Sequence, residues 1–110
     1  MRNLLSILLA IGCSSAGAAE VYLSIPSDSN AKFFVLEKGG NDSERTIVTK
    51  RIGSSGTSFS KRIYNCKNDT VKYLGTGDSI EAMNTSRPDP RMSSIVYGSI
   101  AYHVGIFACK

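Results

Sequence analysis

Four stretches of alternating character, residues 32–38, 45–52, 57–66 and 71–75, are joined by short links, "GGNDSE", "GSSG" and "KNDT". Parallel strands need a crossover of about a dozen residues or more, and none of these links is that long. The stretches are rich in Thr, Ile, Val and aromatic residues, which suit a pleated, half-buried surface. The links carry the Gly, Asn, Asp and Ser of tight turns. The arrangement that satisfies both conditions is an antiparallel meander.

The flanking segments extend this plan. "EVYLSIP" places Val21, Leu23 and Ile25 on one side and Tyr22 and Ser24 on the other, and Pro26 ends the run as a strand. Beyond Gly75, "GDSIEAMN" offers Asp78 or Ser79 as the cap of a short helix, which the two prolines of "TSRPDPR" stop. In "GSIAYHVGIFACK" Ser99 is a cap, and Ile100, Val104, Phe107 and Ala108 recur at helical spacing, although Gly105 disfavours a helix. The expected fold class is α+β, an antiparallel β-meander sheet with a C-terminal helix packed on one face.

The first residues read as a leader. Met1-Arg2-Asn3 is a short basic start, Leu4 to Gly12 is apolar, and Ala16-Gly17-Ala18 fits a small-residue cleavage site, the layout of a signal peptide over residues 1–18. The apolar run is far below the roughly 18–20 residues that span a bilayer. Cys13 follows Leu9-Ala10-Ile11-Gly12 in a loose lipobox, so a form lipid-anchored at the outer membrane stands as the alternative to soluble release. The expected location is the periplasm or the cell surface, with residues 19–110 as a single domain.

Export changes the meaning of the other cysteines. Cys66 could be a nucleophile, a metal ligand, a redox switch or half of a disulfide. In an oxidising compartment it is expected to pair with Cys109, 43 positions downstream. By the chain-entropy estimate such a loop contributes about 4 kcal/mol, a large share of the stability of a domain this small. The bond would tie the end of a strand to the end of the last helix.

Recognisable chemistry is sparse. His103 is the one histidine and no triad or zinc set accompanies it. Asp78 and Glu81 read better as helix-start residues than as an acid–base pair. Ser58 to Lys61 satisfies S-x-x-K, but inside a strand, and Gly75-Thr76-Gly77 lacks the Lys-Ser/Thr of a phosphate loop. Asn41, Asn68 and Asn84 head N-x-S/T triplets, whose loop positions agree both with glycosylation acceptors and with the turn residues expected in a bacterial protein. The expectation is a protein that is not an enzyme and uses no cofactor or metal.

Charge adds one hint. Without Arg2, 12 Lys and Arg face 9 Asp and Glu, a net +3, mild enough to serve solubility alone. Lys50, Lys61, Arg62 and Lys72, with Tyr64 and Tyr73, fall on neighbouring strands. They are a candidate binding face for a protein or an anionic surface component, although adjacent Lys-Arg residues must point to opposite sides of a sheet. Nucleic acid is not the expected partner.

"YNCKNDTVKYLGTG" followed by "SSIVYGSIAYHVGIFAC" resembles the bacterial surface-adhesin protein E family, small exported envelope proteins. Tyr64, Cys66, Gly98, Ser99 and Cys109 match that pattern, while Tyr97 stands in place of the usual proline and tryptophan is absent. The resemblance implies an antiparallel sheet with a final helix tethered by a disulfide, and a non-enzymatic, adhesin-like role. An inhibitor or accessory protein of an envelope enzyme or secretion assembly, acting through "GSSG" or "SRPDPR", is the alternative expectation.

Overall fold

A computed structural model of the protein describes residues 20–110. The leader over residues 1–18 and the lipidation alternative at Cys13 lie outside the described residues. Six antiparallel strands follow one another across a single sheet: β1 (Val21–Leu23), β2 (Lys32–Asn41), β3 (Glu44–Gly53), β4 (Gly56–Asn65), β5 (Thr70–Gly77) and β6 (Ser93–Ser94). A short helix α1 (Ile80–Thr85) separates β5 from β6, and α2 (Ile100–Ala108) ends the fold. The expected α+β class, with its meander and its C-terminal helix on the sheet, is the architecture observed.

The strands run further than their composition implies. The composition of "GGNDSE" predicts a loop, yet β2 and β3 continue through it and leave only Asp42 and Ser43 as the turn. Asn41 explains this, because its Oδ1 accepts from the Ser43 amide, the Ser43 hydroxyl and the Glu44 amide at 3.0, 3.0 and 3.1 Å. One side chain closes the turn, so both glycines stay in the ladder. The β6 strand carries no apolar alternation and pairs only Ser94 with Thr70 and Ser93 with Val71.

Alternation along the strands sends Phe33, Val35, Ile47 and Tyr64 to one face, where Ile25, Val104 and Ala108 complete the core. Tyr64, Ile47 and Val104 are its largest fully buried side chains, each worth about 1.5–3 kcal/mol by burial. The opposite face carries Val48 and Lys61, over which α1 lays Met83. Two glycines make these approaches possible. A Cβ on Gly105 would stand 2.8 Å from Tyr64 Cε2, and one on Gly75 would collide with the Met83 carbonyl. The residue that disfavours a helix at position 105 is therefore the one that lets α2 reach the sheet.

Local bonds fix both helices. Ser79 caps α1 by accepting from the Ala82 amide at 3.0 Å, and Ser99 caps α2 by accepting from the Tyr102 amide at 3.1 Å. At the other end of α2, Lys38 of β2 donates to the Phe107 carbonyl at 3.3 Å, placing a cation where the helix dipole is negative. The Cys66–Cys109 disulfide, with Cα atoms 5.6 Å apart, then joins the end of β4 to the end of α2.

Candidate functional site

The sheet divides the six residues of the sequence-derived binding face between its two sides. Lys50, Lys61 and Lys72 point away from α2, while Arg62, Tyr64 and Tyr73 point to the α2 side, as the pairs Val48↔Lys61, Ile47↔Arg62 and Arg62↔Tyr73 require. Lys50 pairs with Glu20 at 2.8 Å and lies over the Phe34 ring. Tyr64 has no exposed surface; its hydroxyl donates to the Ala101 carbonyl at 2.6 Å beneath α2. Burial pushes the Tyr64 phenol well above the ordinary tyrosine value, partly offset by the nearby Arg62 cation. Tyr64 is a core residue, and the remaining residues do not form one patch.

Other pairings suggested by spacing are also separated. Ser58 lies opposite Arg51 on the α2 side while Lys61 lies opposite Val48 on the other, so S-x-x-K brings no amine to the hydroxyl. His103 stands edge-on to Tyr102, ring centres 5.2 Å apart. The exposed "SRPDPR" segment runs beside β5, with the Asp89 amide donating to the Tyr73 carbonyl at 3.0 Å and the Tyr73 amide donating to Asp89 Oδ2 at 3.3 Å. Among the described residues no group of three or more His, Cys, Asp or Glu could hold a metal ion. No helix among them is long and apolar enough to cross a membrane.

Two concave regions stand out instead. A cleft of about 370 Å³ runs between α2 and the segment before it, lined by Asp69, Ile95, Tyr97, Tyr102, Ile106 and the Cys109 end of the disulfide. Its rim is apolar and open to solvent: Tyr97 is 84% exposed and Ile106 50%. The Tyr97 and Tyr102 rings lie 4.7 Å apart. Ile95 is held there because its amide donates to the Asp69 carbonyl at 3.1 Å, and Asp69 takes a positive φ of 57° in the β4–β5 turn.

The second is a smaller hollow of about 210 Å³ on the α2 side of the sheet, beside Ile100 at the start of the helix. Its walls carry the hydroxyls of Thr49, Ser58, Ser60, Tyr73 and Thr76 together with Arg51 and Arg62. Arg62 is only 4% exposed. Its Nη1 donates to Thr49 Oγ1 at 3.0 Å and its Nη2 to the Tyr73 hydroxyl at 3.1 Å. Its Nε is buried with no partner, and no carboxylate pairs with it among the described residues. Burying an unpaired ion costs several kcal/mol.

Arg51 differs, since its Nε and Nη2 donate to the two carboxylate oxygens of Asp28 at 2.7 and 3.3 Å. That hydrogen bonding holds the Asp28 carboxyl below its usual range. The hollow was not legible in the sequence because an arginine on a strand is expected at the surface. A bulge also intervenes: between Lys61 and Arg62 the partner strand advances from Gly75 to Tyr73, leaving Leu74 as an extra residue. The shift brings the Tyr73 phenol opposite Arg62. Against known proteins, no family model, no curated protein and no solved structure matches this chain.

Proposed function

We propose that the protein is a small exported, non-enzymatic binding protein of a bacterial envelope, adhesin-like in that it grips another protein or surface component through the cleft beside α2. The observation that carries this reading is the exposure of Tyr97 and Ile106 around that cleft. Large apolar side chains grouped at the surface of a small domain mark contact sites, and tyrosine gives much contact area at low entropic cost. Export is supported by the disulfide, since such bonds persist in oxidising compartments. The tethered-helix fold implied by the resemblance to surface-adhesin protein E is the fold adopted here, although fold alone assigns no partner. The inhibitor alternative draws less support, because "SRPDPR" is bonded along β5 rather than projecting.

The test is binding of the purified protein to immobilised extracellular-matrix proteins and to envelope extract, beside a Tyr97→Ser/Ile106→Ser variant. Loss of two central apolar contacts is expected to weaken binding at least roughly tenfold; unchanged binding overturns the role of the cleft. Mass spectrometry of protein recovered from the producing cell separates the two envelope forms. A chain starting at Ala19 is the released form, and a lipid-bearing Cys13 is the anchored one.

A further inference from the structure

We propose that the hollow around Arg62 is a binding site for a single carboxylate group. Arg62 is the one buried charged side chain among the described residues, and arginine keeps its charge at any pH a folded protein meets. Because it donates to Thr49 Oγ1 and to the Tyr73 hydroxyl, both oxygens act as acceptors toward the guanidinium. Their own protons are then free to be donated onward. With Ser58, Ser60 and Thr76, the walls offer several hydroxyl donors and no acidic side chain, a lining complementary to an oxyanion.

Charge and size select the kind of anion. Arg51 is already neutralised by two hydrogen bonds to Asp28, so the hollow presents one unmatched positive charge, that of Arg62. One charge matches a carboxylate better than a phosphate dianion. About 210 Å³ accommodates a carboxylate on a short stem. Ile100, the first residue of α2, borders the hollow, so the positive end of the helix dipole adds to the attraction. The bound group would supply the counter-ion that Arg62 lacks among the described residues. This site shares no lining residue with the aromatic cleft and stands or falls independently of it.

The test follows the arginine Nε–H signals of the ¹⁵N-labelled protein by NMR during titration with acetate, with inorganic phosphate, and with a short neutral peptide bearing a free C-terminal carboxylate or its amide. Acetate is expected to shift the Arg62 signal saturably, and the amidated peptide to leave it unmoved. Binding of the free peptide more tightly than acetate assigns the site to protein carboxylates. Equal binding assigns it to small free acids, and either result supports the site.

Arg62→Gln should weaken acetate binding roughly tenfold to a hundredfold, the worth of a charge-assisted hydrogen bond. Ser58→Leu, which fills the hollow without touching the guanidinium contacts, should block binding in a protein whose spectrum is otherwise native. Three outcomes overturn the proposal: no saturable shift with any probe, which leaves water alone in the hollow; saturation by phosphate with acetate inert; or undiminished acetate binding by Ser58→Leu.

Discussion

Tyr64 and Gly105 form one contact from two sides. The ring fills the space that a side chain at position 105 would need, and its hydroxyl reaches the Ala101 carbonyl one turn earlier on the same helix. Gly105→Ala improves intrinsic helix propensity by about 1 kcal/mol, but the added methyl meets the Tyr64 ring, and overpacking costs about 1–3 kcal/mol. The ring is held between helix and sheet, so the steric term wins. Urea unfolding should show a net loss of up to about 2 kcal/mol.

The same residue links stability to alkaline pH. The folded Tyr64 phenol titrates above its unfolded value because burial disfavours the phenolate. Its contribution is therefore fully present below the unfolded value of about 10 and is lost as pH rises toward the folded one. A spectrophotometric titration should contain a late, single-tyrosine step coupled to unfolding, and that step should be missing in Tyr64→Phe. Asp28 works in the opposite direction. Its carboxyl is depressed by the Arg51 hydrogen bonds, so its contribution is present above the unfolded value and fades as pH falls through the folded one.

Among the elements, α2 depends most on a few anchors. Its nine residues are too few for an isolated helix to persist in water. The Ser99 cap, the Gly105–Tyr64 contact and the disulfide hold it. Reducing Cys66–Cys109 should cost about 4 kcal/mol by the chain-entropy estimate. Hydrogen exchange should then accelerate in α2 well before it does in the paired centres of β2, β3 and β4, and equal acceleration throughout would show that the sheet relies on the bond as much as the helix does.

Element by element, legibility followed the strength of the local signal. Strand alternation, the short links and the Ser99 cap were readable because each is a local preference. The β6 strand was not, because two serines carry no period and pair only through backbone already set in place by β5. Nor were the bulges at Leu36 and Leu74, which insert a residue without any compositional mark. The candidate site suffered most from this. Strand positions put Arg62 and Tyr64 on a candidate binding face, whereas the fold buries both and the bulge at Leu74 decides what Arg62 meets.

At the scale of the molecule, the sheet has two unequal faces. One is closed by α2 and holds the main core; the other carries, among the described residues, only α1, whose Met83 lies over Val48 and Lys61, with Lys50 and Lys72 on the same face. Its edge strands, β1 and β6, are three and two residues long and pair only with Phe33–Val35 of β2 and with Thr70 and Val71 of β5.

Strand order equal to chain order also sets a timetable. Each strand pairs with the one made just before it, so the sheet can assemble progressively as the polypeptide emerges, with little long-range search. Cys109 lies beyond every strand, and its sulfur can reach Cys66 only once α2 has been delivered. An oxidant meeting the nascent protein would find Cys66 waiting, unpaired, at the end of a finished β4, and the covalent link would seal a shape already reached rather than direct its formation.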